Sequence, residues 1–427
     1  MNKMIRIDMA ELKVTTQKTP LDFQLLGGRS LSARILNAEV PPMAHPLSHE
    51  NKLVIAPGLL AGTMAPSFGR ISFGAKSPLT KTIKESNAGG TAAQKLDRLG
   101  IKAIIIQGMP KENQTYIIYI DPKGAQILKA SDLSGKMNYD LVNTLQNKYG
   151  KKIGVISIGP AGEEKMTAST IAVTDQDGRP SCHAGRGGLG AVMGSKGIKA
   201  IVVNAEGSKA IEPLDRELFK ETVRGLIETL KQDKGAQSFS RFGTPGGIKF
   251  LRELGSMPSW NYHGGPVEGI ENIYGDTIAH INQSRGGRMH GCMPGCIVQC
   301  SIVFHGDDGM HLTSALEYET LAMLGTNLAI TNLDAIAKMD RMCDDMGIDT
   351  IEVGSAIAQL MEAGVIKFGD DQKVIETLKE LGKGYSAGKI VGQGAAFSAQ
   401  YLGLNRVPSP KARLSQPMTQ GPVKRWE

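Results

Sequence analysis

The spacing of apolar residues changes near residue 205, and this change constrains the fold more than any other feature. Before it, short apolar runs bounded by Gly, Pro or Asp predict strands, at Lys52–Gly58, Ile101–Gly108, Thr115–Ile120, Lys152–Gly159 and Lys199–Asn204. After it, apolar residues recur at helical spacing, in Asp215–Gln232, Asn332–Met346, Ile351–Ala363 and Gln372–Gly382. We therefore predict an α+β protein with a β-rich domain at residues 1–208, where helices are few and short, and a mainly helical domain at residues 209–407.

Composition narrows the class of function. The chain has 52 glycines among 427 residues, which is well above the usual ~7% and indicates backbone turns or close approach to something bound. The formal net charge is +7, but the basic residues form no run and aromatic residues make up only 5% of the chain. These features argue against a nucleic-acid partner and favour phosphate-bearing cofactors.

The sequence also predicts a cytoplasmic location and no membrane association. No apolar stretch reaches the ~18 residues of a membrane-spanning helix, and Met1–Asp8 lacks the apolar core of a signal peptide. Three of the five cysteines fall between Cys292 and Cys300, unlike the disulfide framework of a secreted protein.

Cys292, Cys296 and Cys300 give the strongest chemical signal. Three thiols separated by Pro and Gly can face one centre, and iron–sulfur clusters are held by such sets, normally of four. Structural zinc also needs four ligands, usually in paired blocks. An iron–sulfur cluster is favoured, with zinc or plain thiols as alternatives and His290 as a candidate fourth ligand. Cys182 and Cys343 are interpreted as small buried residues.

Three glycine-rich segments predict loops that bind phosphate or a pterin: Gly27–Arg29, Ser86–Gly90 and Cys182–Gly190. Backbone N–H groups of glycine loops converge on anions, and arginine adds a bidentate donor. Tight turns are the ordinary explanation for adjacent glycines. The presence of three such segments, together with Arg70, favours a binding site.

Carboxylates follow in the helical half. The segment Asp344–Asp349 places acids around a Gly turn, where they can accept hydrogen bonds from a heterocycle; a helix C-cap with solvated acids is the alternative. Glu317 and Glu319 offer a general acid or base, with surface carboxylates as the ordinary interpretation.

The order of these motifs resembles the aldehyde:ferredoxin oxidoreductase family from about residue 5 to residue 407. The matching segments are GGRSLSARIL, GRISFGAKSPLT, SNAGG, AGRGGLGAVMGSKGIKAIVV, the cysteine triplet, EYET and CDDMGIDT. The resemblance implies a base of two β-sheets beneath one tungsten or molybdenum that is held by two pterins. It further implies magnesium between the pterin phosphates, and two covering helical domains.

By motif match, the resemblance implies a role for each candidate residue. The pterin phosphates would be lined by Arg70, Asn87, Gly89, Ala184 and Arg186, with magnesium bound by the backbone carbonyls of Asn87 and Ala184. One pterin would be bound by Asp344 and Asp349, and a [4Fe–4S] cluster by Cys292, Cys296 and Cys300. Glu319, or less well Glu317, matches the family's carboxylate near the metal.

The implied activity is oxidation of an aldehyde with water to a carboxylic acid, with ferredoxin or another iron–sulfur carrier as electron acceptor. Other branches of the family reduce aromatic thioesters. The chain departs from the family twice. Met289 stands at the first position of the CxxCxxxC pattern, and Cys300 extends that pattern downstream. The second DxxGLC motif, which carries a cluster cysteine in the family, is absent from this sequence. The resemblance therefore leads us to expect that the chain stops before the third domain, which carries that motif and an active-site His.

The segment Pro408–Glu427 is predicted to be an aberrant tail. Reading suitable codons of Lys411–Pro422 one base earlier gives KGQALPAYDPRA, which resembles the family's entry into its third domain, so we hypothesise a frameshift near Val407–Pro410. The alternatives are an inactive remnant, a subunit that needs a separate C-terminal chain or forms a homodimer, and a simple iron–sulfur electron carrier.

Overall fold

Most of the strands lie in the first half of the chain and most of the helices in the second, as the spacing of apolar residues predicts. The computed structural model describes residues 3–208, 211–381 and 387–407. The strands are β1 Lys3–Asp8, β2 Lys13–Lys18, β3 Leu53–Pro57, β4 Ile71–Lys76, β5 Ile83–Ala88, β6 Ile101–Gln107, β7 Tyr116–Asp121, β8 Gly124–Lys129, β9 Gly154–Ser157, β10 Ile171–Val173, β11 Cys182–Ala184, β12 Ile198–Val203, β13 Arg288–His290, β14 Ser301–His305 and β15 His311–Ser314.

The helices cover the sheets and then build the second half of the chain. They are α1 Gly28–Glu39, α2 Ala92–Arg98, α3 Asn138–Tyr149, α4 Pro160–Glu163, α5 Leu189–Ser195, α6 Arg216–Gln232, α7 Lys234–Phe242, α8 Ile248–Glu253, α9 Gly275–Ser284, α10 Tyr318–Thr320, α11 Leu333–Met346, α12 Thr350–Glu362, α13 Asp371–Lys379, α14 Ala387–Val391 and α15 Ala395–Tyr401. A π-helical turn, Leu321–Gly325, follows α10 directly.

The strands of the first half form two six-stranded sheets, in the orders β2-β1-β6-β3-β4-β5 and β11-β10-β9-β12-β7-β8. Each sheet contains one parallel pair, β1 with β6 and β12 with β7, among antiparallel neighbours. The predicted α+β class with two sheets is therefore confirmed. A third, three-stranded sheet, β13-β14-β15, lies in the otherwise helical second half.

The two large sheets pack face to face. Their inner residues share one apolar core with α2 and α5, while α1 covers the outer face of the first sheet and α3 that of the second. Every residue of β3 and of β12 is buried. These strands are covered on both faces, which explains why their sequences are nearly continuous apolar runs. The helices α1 and α3 have 12 residues each, so the prediction of few, short helices in this half was wrong. These longer helices bury the apolar outer faces of the two sheets.

The predicted helices of the second half are confirmed, and their starts are capped. Asp215 accepts a hydrogen bond from the Leu218 N–H at 2.9 Å, and Asn332 accepts one from the Ala335 N–H at 3.3 Å, which satisfies N–H groups that lack intrahelical partners. The helices from α11 onward share a second core with residues of the first half.

Three further sequence predictions concern membrane-spanning helices, the domain boundary and the C-terminal segment. In the part of the chain that the structure describes, no helix is long and apolar enough to cross a membrane. The predicted domain boundary falls beside residues 209–210, outside the described ranges, and stays a prediction. The predicted aberrant tail, Pro408–Glu427, also lies outside the described residues.

Candidate functional site

The chain makes a glycine turn, Ala184–Gly188, between β11 and α5. Gly187 and Gly188 have φ values of +97° and +68°, a region that residues with a side chain rarely adopt. A Cβ on Gly188 would lie 2.1 Å from the carbonyl oxygen of Thr167. The left-handed backbone and the close packing therefore require glycine at this turn.

A second turn, the aspartate loop Asp344–Asp349, joins α11 to α12. Gly347 adopts φ +72° and its N–H donates to the Cys343 carbonyl at 2.9 Å, so the predicted helix C-cap is present. Asp349 caps α12 by accepting from the Ile351 N–H at 3.0 Å. The acids are not solvated, however: Asp344 and Asp349 are buried, and each has one carboxylate oxygen without a hydrogen-bond partner.

The aspartate loop docks beside the glycine turn. The Asp349 N–H donates to the Ala168 carbonyl at 3.0 Å. Arg186 Nε lies 3.3 Å from Asp349 Oδ2, an ion pair without hydrogen-bond geometry, and Arg186 Nη2 donates to Glu352 Oε1 at 3.4 Å. Burial raises the pKa of Asp349 to about 7, so its carboxyl group is only partly ionised at neutral pH.

His183 links the same two loops. Its Nε2 lies 3.2 Å from Asp344 Oδ1, and its Nδ1 lies 2.7 Å from Thr170 Oγ1. Burial lowers the pKa of His183 to about 4 and raises that of Asp344 well above its usual range. The imidazole of His183 is therefore neutral at neutral pH. Sequence analysis did not single out His183, which stands inside the predicted glycine segment.

Arg70 and Asn87 meet at the end of the first sheet. The Arg70 Nη2 group donates to the Asn87 carbonyl at 3.2 Å, and its Nε donates to the Asn87 side chain. Gly89 follows at once, and a Cβ there would lie 2.7 Å from the Cys292 carbonyl oxygen. The adjacent Gly90 N–H donates to that oxygen at 2.6 Å. This glycine segment thus touches the cysteines directly.

The glycine segment Gly27–Arg29 has a different explanation. It begins α1, where a Cβ on Gly27 would lie 2.6 Å from the backbone nitrogen of Leu59. Arg29 forms an ion pair with Glu85 at 2.9 Å, with 73% of the arginine side chain exposed. Helix packing accounts for this pair of glycines.

The cysteine loop, Gly291–Cys300, connects β13 to β14, whose pairing places His290 opposite Ser301. Side chains of the first half hold its backbone: Gln176 Nε2 donates to the carbonyls of Gly291 at 2.7 Å and Met293 at 3.0 Å. Gln94 adds a bond to the Pro294 carbonyl at 3.2 Å. Both glutamines were missed from the sequence, because their role depends on long-range contact.

The thiols of Cys292 and Cys296 lie close to each other, and the interaction between them raises the pKa of Cys292 and lowers that of Cys296 to about 5. Burial raises the pKa of Cys300 to about 11. Three thiols of one loop therefore lie together, partly buried, beside the glycine segment that ends at Gly90.

His290 faces two aspartates. Its Nδ1 is buried without a hydrogen-bond partner and lies 3.8 Å from Asp177 Oδ2, and with Asp175 these groups lie within 4.8 Å of one another. Arg179 and Arg288 also pair with Asp177, at 3.1 Å and 2.5 Å, and their positive charge opposes a cation there. The role of His290 as a cluster ligand stays a prediction.

Glu317 and Glu319 flank Tyr318 at the start of α10. Glu317 Oε2 accepts a hydrogen bond from Thr244 Oγ1 at 2.5 Å, and burial raises the pKa of Glu317 to about 7. Glu319 is exposed. The following π-helical turn is a rare element that often marks functional sites.

Tyr262 lies beside the same π-helical turn and was also missed from the sequence. Its hydroxyl is 3.4 Å from Met323 Sδ. Trp260, Asn261 and Tyr262 have φ values of +50°, +52° and +61°, a strained run for residues with side chains. The Asn261 N–H donates to the Asn327 carbonyl at 2.9 Å and helps to hold this run.

Glycine turns from both sheets, two arginines, buried carboxylic acids and a cysteine loop thus meet where the sheets join the helices. This arrangement is typical of redox proteins that carry a metal-containing cofactor. The chain belongs to the aldehyde ferredoxin oxidoreductase family: residues 4–205 match the family's N-terminal domain, and residues 221–413 match its domains 2 and 3.

Named relatives agree with this assignment. The chain is 35% identical to the tungsten-containing aldehyde ferredoxin oxidoreductase of Pyrococcus furiosus over 364 residues, which are 84% of this chain and 58% of that protein. The Thermococcus kodakarensis enzyme of the same name is 35% identical over 360 residues, covering 84% and 57%. The chain therefore spans less than two thirds of these relatives' length.

More distant similarities concern proteins named for other substrates. The "aliphatic sulfonate oxidoreductase, WOR-like subunit" of Pyrococcus furiosus is 26% identical over 433 residues, 93% of this chain and 66% of that protein. The active site complex BamBC of benzoyl coenzyme A reductase, solved with 1,5-dienoyl-CoA, is similar in fold, with a TM-score of 0.79 and 24% identity over 94% of this chain and 63% of that chain.

Proposed function

We propose that the chain is the cofactor-binding part of a cytoplasmic tungsten- or molybdenum-pterin oxidoreductase that oxidises aldehydes to carboxylic acids. Two electrons and two protons leave for each aldehyde and water consumed, and ferredoxin or another iron–sulfur carrier accepts the electrons. The observation that carries the proposal is the meeting of the glycine turn, the aspartate loop and the cysteine loop at one place. The relatives named for this activity support it.

The residues fit a pterin. Asp344 and Asp349 each keep a buried carboxylate oxygen without a hydrogen-bond partner, which suits the ring N–H donors of a heterocycle. Arg70 and Arg186 are exposed and can pair with phosphates. We assign Asn87, Gly89 and Ala184 to the same phosphate region, with the carbonyls of Asn87 and Ala184 as magnesium ligands.

The cysteine loop fits an iron–sulfur cluster. Cys292, Cys296 and Cys300 lie partly buried in one loop, and clusters are held by thiolates in such settings. Gln176 and Gln94 hold the loop's backbone. We therefore assign the [4Fe–4S] cluster to this loop, beside the glycine segment that leads to Asn87.

A carboxylate of the chain would accept the proton that the reaction releases. When bound, the metal–pterin group would supply the two-electron chemistry. Glu317, with its pKa raised to about 7 by burial, can accept a proton near neutral pH. Glu319 matches the family carboxylate better but is exposed. A carboxyl group at this place would take the proton released as water adds to the aldehyde.

The test is to purify the chain without oxygen and to measure tungsten, molybdenum, iron and sulfide per chain, together with pterin fluorescence after denaturation. We expect one tungsten or molybdenum per chain and an iron–sulfur absorption spectrum. A chain that holds an iron–sulfur cluster but no pterin would be a simple electron carrier. A colourless, metal-free chain would contradict the proposal and indicate an inactive remnant.

Activity requires a separate measurement. Aldehyde-dependent reduction of ferredoxin should be measured with the chain alone and after adding a C-terminal segment of the family as a separate polypeptide. Activity only with the segment would indicate a subunit that needs a second chain. Aliphatic sulfonates and aromatic thioesters should be assayed in parallel, since relatives carry names for such substrates.

A further inference from the structure

Three consecutive residues with side chains, Trp260, Asn261 and Tyr262, have left-handed backbone conformations. Such residues store strain that the surrounding structure must hold, and they cluster at sites of function. The run lies outside the glycine turn, the aspartate loop and the cysteine loop, so those loops do not explain it. We therefore looked for what the strained run positions.

Asn261 holds the run in its strained shape. The residue is fully buried, and its carbonyl accepts a hydrogen bond from Arg406 Nη2 at 2.6 Å, while its N–H donates to the Asn327 carbonyl at 2.9 Å. Its side-chain amide donates to Glu362 and accepts from Gln359 Nε2 at 3.3 Å. Because four separate residues bind its backbone and its side chain, the neighbouring Tyr262 is held in one position.

Tyr262, in contrast to Asn261, is 45% exposed. Its hydroxyl donates to Met323 Sδ at 3.4 Å, which is its one hydrogen bond to a side chain or backbone group among the residues that the structure describes. A thioether sulfur is a weak acceptor, whereas a carbonyl or carboxylate oxygen accepts a stronger bond. A ligand that brings such an oxygen therefore gains a hydrogen bond from Tyr262 without breaking a strong one.

Met323 belongs to the π-helical turn that follows α10, the helix that begins between Glu317 and Glu319. Burial raises the pKa of Tyr318, and the nearby Glu319 and Tyr262 raise it further. The strained run thus brings a hydroxyl to the segment that carries the proposed proton acceptor. A strained run and a π-helical turn, both rare and both typical of functional sites, meet at this hydroxyl.

The same π-helical turn packs against α12. A Cβ on Gly354 would lie 2.5 Å from the Met323 carbonyl oxygen, and Glu352 on this helix accepts from Arg186 Nη2 at 3.4 Å. Burial raises the pKa of Tyr262, while the nearby Arg186 lowers it and Glu352 raises it. The hydroxyl therefore lies between the proposed proton acceptor and the arginine of the glycine turn.

We propose that Tyr262 contacts the substrate, with its hydroxyl donating a hydrogen bond to the carbonyl oxygen of the aldehyde and to a carboxylate oxygen of the acid that forms. This inference rests on the proposed function, because it takes Glu317 and Glu319 to mark the place of reaction. The strained run fixes the hydroxyl in advance, which reduces the conformational freedom that is lost on binding.

The competing interpretation is that Tyr262 only packs, with its contact to Met323 stabilising the turn. Tyr262→Phe removes only the hydroxyl, and Met323→Leu removes only the sulfur acceptor while keeping an apolar side chain of similar volume. If the contact is only structural, the two variants should behave alike. Tyr274→Phe is the matched control, since it removes a hydroxyl that is bound to Arg252 elsewhere.

The experiment measures the binding of benzoate and acetate to the full chain, purified without oxygen, by titration calorimetry. We expect Tyr262→Phe to bind about tenfold more weakly than wild type, the effect of losing one hydrogen bond. Tyr274→Phe should bind like wild type, and Met323→Leu at least as tightly, because the hydroxyl then has no competing acceptor. Urea unfolding shows whether each variant folds.

A second readout reports on the hydroxyl directly. The nine tyrosines of the chain are replaced by 3-fluorotyrosine, and the fluorine resonance that is lost in Tyr262→Phe is assigned to residue 262. We expect this resonance to shift as benzoate is added to wild type and to Met323→Leu.

Equal affinity of wild type and Tyr262→Phe, or an equal loss in Met323→Leu, overturns the proposal and leaves the proposed function standing if the chain holds its metal and pterin. A chain without metal and pterin refutes the proposed function separately. In such a chain, weaker binding by Tyr262→Phe still supports the contact, and the absence of any carboxylate binding overturns it.

Discussion

The glycine turn and the cysteine loop lie at the same site but are held in different ways. Close packing shapes the turn, where a Cβ on Gly188 would lie 2.1 Å from a backbone oxygen. Side chains from elsewhere hold the cysteine loop, because Gln176 and Gln94 donate hydrogen bonds to its carbonyls. Local sterics therefore set the shape of the turn, whereas long-range hydrogen bonds set the shape of the cysteine loop.

The largest expected effect tests the packing of the turn. Gly188→Ala should lower the free energy of unfolding by about 3 kcal/mol or more, because a left-handed residue costs ~1–2 kcal/mol and overpacking adds ~1–3 kcal/mol. Urea unfolding of the cofactor-free chain measures this. Gly185→Ala is the matched control, since its Cβ would meet only Asp349 Oδ1 at 3.9 Å. Equal stability of the two variants would refute the steric account.

The next effect tests the side chains that hold the cysteine loop. Gln176→Ala should destabilise the cofactor-free chain by about 2 kcal/mol, because two part-buried carbonyl hydrogen bonds lose their donor. Gln94→Ala removes one such bond and should cost about 1 kcal/mol. Urea unfolding ranks the two variants. A smaller loss for Gln176→Ala than for Gln94→Ala would show that these bonds do not hold the loop.

A third prediction concerns pH. The pKa of Asp349 is about 7 in the folded chain and about 3.9 in an unfolded one, so the folded chain binds more protons. The cofactor-free chain should therefore lose stability as the pH rises between these values, by up to ~1.4 kcal/mol per pH unit from this group. Asp349→Asn should remove this group's contribution to the dependence of stability on pH. The charged neighbours of Asp349 are Arg186 and Glu352.

Glu39 provides the contrast for the pH experiment. Its hydrogen bond with Arg6 lowers its pKa to about 2, so its contribution is present above the unfolded pKa and is lost as the pH falls. Glu39→Gln should therefore change stability by a constant amount between about pH 5 and about pH 7. An unchanged slope in Asp349→Asn, measured by urea unfolding across this range, would contradict the rise in the pKa of Asp349 that burial causes.

The smallest effect on stability belongs to Arg186, whose side chain is 46% exposed. Arg186→Gln should change the free energy of unfolding of the cofactor-free chain by ~0.5 kcal/mol, as expected for a solvent-screened ion pair. Pterin content should nevertheless fall if Arg186 binds a phosphate. Arg29→Gln, at the glycine segment that only packs a helix, should leave pterin content unchanged. Equal pterin content in both variants would remove Arg186 from the proposed site.

Much of the fold and the outline of the site were predictable. The strand runs, the long helices and the α+β class follow from local spacing, and the motifs pointed to the loops that meet at the site. The segment Gly27–Arg29 shows the limit of sequence analysis, because the sequence of two adjacent glycines does not reveal whether they lie against a phosphate or against Leu59. Glu317 shows another limit, since only the tertiary structure shows that it is partly buried while Glu319, two positions away, is exposed.

By itself the sequence determined which segments become strands and helices, because apolar spacing and capping residues act within a few positions. It also determined the chemical types at the site: thiols, glycines, arginines and acids. Only the tertiary structure decided that Cys182 touches Cys292, that Gln176 holds the cysteine loop, and that Asp344 and Asp349 are buried. These facts depend on contacts between segments over a hundred positions apart, where burial and not local pattern sets the chemistry.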